Sequence, residues 1–205
     1  MKTRVAIVGV AVVCAALAVA ALVAAQGSAP AERVEPFDHL TAPRVGPGEP
    51  APGSSAMTSL CPNRLDVCQK YWAYTTYFVD GYTIPFRDKE ILILRTAWLS
   101  RGEYIWGRHY VRGKESGLTD EEIQRITEGP AASGWSDFDA TLLRAADELH
   151  TSRFVSDATW NALSARYTED QVREVVLIVG DYTQLAMFQN SLGAQLPPGY
   201  DGLPD

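Results

Sequence analysis

From Pro62 to Pro198 the apolar positions recur every three or four residues, the repeat of an α-helix. No stretch alternates with the period of two that a half-buried strand needs. The spacing predicts a first helix over 62–79, with Leu65, Cys68, Trp72 and Thr76 near one face. Gly81 to Pro85 breaks it. A second helix starts at Phe86. Its run from Ile91 to Leu99 is apolar on almost every side, which places it at the centre of the fold. A third is expected over 101–115, stopped by Gly117.

Thr119 with Glu122, and Thr168 with Gln171, are spaced as capping boxes, and Ser136 with Asp139 is a shorter version. These starts predict helices over 120–127, 137–151 and 169–193, and Ser156 or Asp157 opens one more, to Ala165. The loop Glu128–Trp135 carries Gly129, Pro130 and Gly134 and separates two halves. The last helix presents Val172, Val175, Val176, Val179, Leu185 and Phe188 and ends at Gly193, before Pro197-Pro198. The expected class is all-α, a bundle of about six to seven helices.

The N-terminus follows a different pattern. Lys2 and Arg4 precede an uninterrupted apolar run, Val5 to Ala25, and small residues follow (Ala24, Ala25, Ser28, Ala29, Ala31). A run of this length partitions into a bilayer with its positive end on the cytoplasmic side. Residues 1–26 therefore read as a signal peptide or an uncleaved anchor. The chain is expected to be exported, extracellular or periplasmic, or else tethered by residues 5–25. Cys14 follows Val13, where a lipidation site needs a small residue. Residues 27–59, with Pro30, Pro36, Pro43, Pro47, Pro50 and Pro52, read as a disordered linker, and His39 within it as a solvated bystander. The folded domain is expected over 60–198, with a tail over 199–205.

Composition narrows the functions. Of 205 residues, 46% are hydrophobic and 21% charged, which excludes both a disordered chain and a multi-span membrane protein. The formal net charge of −7 argues against nucleic-acid binding, which needs basic patches to displace counterions. Beyond Cys14 the chain has Cys61 and Cys68. An oxidising compartment would allow a bridge between them if Cys61 lies outside the helix. If both lie on one helix they stand about 10 Å apart, too far to bond. Two cysteines are too few ligands for a metal site, and no metal or cofactor is expected.

Candidate chemistry gathers on the second and third helices. Glu90 sits in an apolar helix, where a carboxylate must be paired or used. Trp106 and His109, three residues apart, share a face of the next helix. Two antiparallel helices joined by a short turn would bring Glu90 to His109. The carboxylate would orient the imidazole and the imidazole would move a proton. The plainer alternatives are a Glu90 paired with Arg87 or Lys89 at the helix start, and a His109 that is simply a satisfied core residue. Trp98, Trp106 and Trp160 read as core, and Trp106, on the His109 face, is also a candidate substrate-binding residue. Tyr182 and Asn190, eight apart on one helical face, are candidate pocket-lining residues. His150 lies where a cation meets the negative end of a helix.

The string Arg87-x-x-Glu90-Ile91-x-x-Leu94-Arg95-x-Ala97, followed by Glu103-Tyr104-x-Trp106-x-x-His109, resembles the signature of the carboxymuconolactone decarboxylase-like family. The likeness extends over Asn63–Pro85, Ala145–Leu149 and the Gly180-x-Tyr182-x-x-x-Ala186-Met187-x-x-Asn190 stretch, about two-thirds of the chain. The resemblance implies an alkylhydroperoxidase D-like helical bundle that assembles as a trimer or hexamer around a small-molecule substrate. One branch of that family reduces peroxides with a Cys-x-x-Cys-x-x-x-His centre and a glutamate on the preceding helix. On that pattern Glu90 and His109 fall at the glutamate and histidine, but Gly102 and Ile105 fall at the cysteines, so a thiol nucleophile is missing. The other branch decarboxylates a lactone carboxylate without metal or thiol. There the resemblance makes His109 the acid and Glu90 its orienting partner. Arg95 or Arg108 would hold the carboxylate, and Tyr104 would donate to the lactone oxygen. Many relatives carry a second acid where Ile105 stands and a second histidine where Arg108 stands.

Overall fold

The computed structural model describes residues 31–35, 37–45 and 65–204. The expectations for the leader, for Cys14 and for a Cys61–Cys68 bridge lie outside the residues and side chains so described. Among the described residues there are seven α-helices and no strand: α1 (Leu65–Gly81), α2 (Phe86–Leu99), α3 (Glu103–Glu115), α4 (Asp120–Glu128), α5 (Asp137–Ser152), α6 (Asp157–Ser164) and α7 (Glu169–Leu192).

The capping signals work as expected. Thr119 and Thr168 each accept from the backbone N–H three residues on, and Glu122 and Gln171 return the bond to the cap residue's N–H. Ser136 and Ser156 accept from the N–H groups of Asp139 and Thr159. Each cap satisfies a backbone donor that a helix start otherwise leaves open. Helix α7 ends at Gly193 in the left-handed region (φ 77°). Helix α3 begins at Glu103, two residues later than the expected start, because Arg101 adopts φ 52° and the turn closes there.

Helix α2 is the hub. It packs against α3, α4, α5 and α7. Ile91, Leu92, Ile93, Leu94 and Ala97 are all fully buried, and they meet Ile123, Ile126, Leu142, Leu143, Val175 and Ile178 from the surrounding helices. Of the tryptophans, Trp106 is buried and Trp98 half-buried against it, with ring centroids 6.2 Å apart. Trp160 departs from the expectation and is 41% exposed, because α6 is short and offers only one face to the bundle.

The linker reading is corrected over residues 31–35 and 37–45. This segment lies against the bundle as a strap. The Val34 N–H donates to the Leu99 carbonyl at the end of α2, and the Arg44 N–H to the Leu192 carbonyl at the end of α7. The Arg33 guanidinium stands 4.0 Å from the Trp98 ring centroid. His39 is no bystander: its Nε2 is 3.0 Å from the Arg101 carbonyl oxygen. The strap thus caps carbonyls that two helix ends leave open, an attraction that a proline count does not reveal.

Candidate functional site

The α2–α3 hairpin is tight. The Gly102 N–H donates to the Ala97 carbonyl, and the chain reverses within Ser100–Gly102. A Cβ at Gly102 would stand 3.2 Å from Ile105 Cδ1 and 3.3 Å from Ala186 Cβ, so this position is closely packed. Ile105 is buried in the core. The two places where a redox cysteine pair would stand are thus occupied by a turn glycine and a core isoleucine.

The hairpin brings Glu90 and His109 together. Glu90 is fully buried, and its Oε2 lies 2.7 Å from His109 Nδ1. Its other oxygen is 3.5 Å from Arg112 Nε, on the same face of α3 one turn further on. The carboxylate is therefore satisfied from both sides by α3, as a buried charge must be. The alternative partners are otherwise engaged or placed: Arg87 pairs with Glu122 at 2.6 Å and Asp139 at 2.8 Å, and the Lys89 ammonium lies over the rings of Tyr82 and Phe86.

His109 keeps 12% of its side chain exposed, and its Nε2 carries no hydrogen bond among the described residues. Tyr182 of α7 packs edge-on against the imidazole at 5.0 Å. Burial and the nearby Glu90 push the Tyr182 hydroxyl far above its ordinary pKa, so it stays protonated. The ring is a wall and a neutral donor.

Next to Tyr182 stands a residue that sequence reading passed over. Asp181 is 4% exposed, and its Oδ1 has no hydrogen-bond partner among the described residues. Burial raises its pKa to about 6. Its field reaches the phenols of Tyr71, Tyr74 and Tyr82 and raises each of them, with burial the larger cause in each case. A lone acid inside the long apolar face of α7 was the available signal. Arg112 was also missed. It lies three residues beyond His109, where an i, i+3 reading would have placed it beside Glu90.

The other expected contacts are corrected. Arg95 is buried in a structural role: Nε and Nη2 donate to the two carboxylate oxygens of Asp147, at 2.7 and 3.1 Å, and Nη1 donates to the carbonyls of Ile126 and Thr127. The guanidinium is engaged inside the core, where a substrate does not reach it. Arg108 is exposed and donates to the Tyr200 hydroxyl at 2.7 Å. Tyr104 and Asn190 line a small recess with His39 and Gly193, away from His109. The Asn190 Nδ2 donates to the Ser100 carbonyl. Trp106 is core. Of the eight expected site residues, Glu90, His109 and Tyr182 are the ones brought together. Two larger cavities, of about 490 and 790 Å³, are lined by residues other than these three. Among the described residues no group of three or more His, Cys, Asp or Glu is placed to hold a metal.

No family model and no curated protein matches the sequence. Solved structures do match the fold. A protein of unknown function from Agrobacterium tumefaciens, provisionally named an antioxidant defence protein AhpD, superposes with a TM-score of 0.58 at 13% identity, covering 64% of this chain and 91% of that one. A peroxidase-related protein from Ralstonia eutropha JMP134, with an alkylhydroperoxidase AhpD core, gives 0.61 at 12% identity over 70% of this chain and 77% of its own. The debrominase Bmp8, in complex with 2,3,4-tribromopyrrole, gives 0.56 at 11% identity over 70% and 76%. The chain has the alkylhydroperoxidase D-like helical fold, as the sequence motifs imply.

Proposed function

We propose that this chain uses its alkylhydroperoxidase D-like fold for cofactor-free proton transfer on a small cyclic carboxylic acid, as a lyase of the carboxymuconolactone decarboxylase type. The observation that carries the proposal is the 2.7 Å contact between buried Glu90 and His109 Nδ1. With Glu90 accepting from Nδ1–H, the imidazole is held in one tautomer and its Nε2 becomes the proton-exchanging atom. In a decarboxylation, the bond from ring carbon to carboxylate breaks and carbon dioxide leaves. The electron pair passes into a dienolate, and a protonated His109 delivers its Nε2 proton to carbon. Arg112 takes the place expected of Arg95 or Arg108. Its side chain is 37% exposed and lies beside the dyad, so it can reach a substrate carboxylate. Thiol-based peroxide reduction does not enter, since positions 102 and 105 carry no sulfur.

Two further parts belong to the same proposal. Assembly as a trimer or hexamer is supported by the exposed Leu177 and Met187 on α7 and Tyr74 on α1. Export is supported by the apolar run Val5–Ala25.

A second reading, a small-molecule-binding protein without catalysis, is favoured by the engagement of Arg95 and Arg108 in internal contacts. Hydrogen–deuterium exchange at carbon separates the two readings. The protein is incubated in D2O with a panel of lactone carboxylic acids and followed by proton NMR. The catalytic reading expects exchange or carbon dioxide release, lowered by about 10²–10⁴-fold in His109→Ala. Equal behaviour of both proteins on every compound would leave only the binding reading.

A further inference from the structure

The strap roofs a cavity of about 490 Å³ over the ends of α2, α5 and α7, lined by none of the dyad residues. Its walls combine two chemistries. Val34 and Phe37 of the strap and Met187 of α7 supply apolar surface. Met187 is 60% exposed, with part of its side chain in the cavity lining. The polar side is incompletely satisfied. Ser100 is 7% exposed, and its Oγ has no hydrogen-bond partner among the described residues. His150 Nδ1 is likewise buried and unpartnered there, and burial together with Arg153 favours the neutral ring. Buried polar atoms are nearly always bonded, and both of these residues stand in the lining of the cavity.

Charge identifies the ligand's class. Arg44 and Arg153 both line the cavity, and both are exposed. Neither guanidinium is paired with a carboxylate among the described residues; the Arg153 side chain makes only a long 3.4 Å contact to the Leu149 carbonyl. Asp38 is the acid in the same lining. Two positive charges against one negative leave room for a single anion. A guanidinium recognises a carboxylate through paired donors, and a volume of this size suits a ligand of modest size with an apolar body.

We infer that this cavity binds a small organic monocarboxylate, with its apolar body under the strap and its carboxylate between Arg44 and Arg153. This site is separate from the Glu90–His109 dyad and does not depend on what the dyad does.

The test is isothermal titration of the full chain with phenylacetate and with its neutral isostere phenylacetamide. Saturable one-to-one phenylacetate binding tighter than about 1 mM is expected, with phenylacetamide at least about tenfold weaker. The Arg44→Gln/Arg153→Gln variant alters exposed side chains only and should bring phenylacetate down to the level of the amide. His109→Ala should bind phenylacetate as the parent does. Absence of saturable binding, equal affinity for acid and amide, or unchanged acid binding in the double arginine variant overturns the proposal. Loss of binding in His109→Ala also overturns it, because the ligand would then sit at the dyad.

Discussion

Glu90 and Asp181 are two buried carboxyls with different circumstances. Glu90 has an imidazole and a guanidinium, and Asp181 leaves Oδ1 without a partner among the described residues. Replacing Glu90 by Ala removes a buried group on which His109 and Arg112 converge, and a loss of about 3–5 kcal/mol in denaturant unfolding is expected. Asp181 behaves in the opposite sense. Its folded pKa of about 6 exceeds the ordinary 3.8, so between those values the unfolded chain has released a proton that the folded chain keeps. Stability therefore falls as pH rises through this window, and the penalty is complete above it. Asp181→Asn should leave stability at pH 4 nearly unchanged and raise it at pH 8, by on the order of 1–2 kcal/mol once screening is allowed for. Urea unfolding at the two pH values reads the difference; an equal effect at both would refute the assignment. The dyad was legible because its two residues are set on adjacent helices by a short turn. Asp181 was not, since its meaning comes from the tyrosines of α1 and of the α1–α2 connection, at remote positions in sequence.

At the level of elements, Arg95 shows how local pattern misleads. An arginine in an apolar helix reads as a ligand for an anion, and here the anion is Asp147 of α5. The arrangement ties α2 to α5 and to the end of α4. It also needs Gly129, which has φ 94° and where a Cβ would stand 2.7 Å from Arg95 Nη2. Arg95→Met should cost about 3–5 kcal/mol, because Asp147 is left buried without its cation, and Arg95→Met/Asp147→Leu should recover most of that loss. Thermal or urea unfolding of the three proteins checks this. Helix starts, by contrast, were readable residue by residue. The capping boxes at Thr119 and Thr168 involve partners three positions apart, so nothing distant can displace them. Thr119→Ala should cost about 1 kcal/mol, read from the same unfolding curves.

At the scale of the whole molecule, the strap changes what the bundle is. Deleting residues 31–45 uncovers the Leu99 and Leu192 carbonyls and the Trp98 ring. Removing that hydrogen bonding and packing should cost about 1–2 kcal/mol and lower Tm by roughly 3–8 °C, and differential scanning calorimetry measures it. Helix period, caps and breakers decided by themselves that this protein is all-α, where its four capped helices begin, and that α2 lies at the centre. Those properties depend on neighbours within one or two turns. Which arginine would stand beside the dyad, that Asp181 would be buried beside four tyrosines, and that a proline-rich segment would close a cavity were decided only by the tertiary structure. In each case the deciding partner lies on another element, and burial against it sets both the charge balance and the exposure.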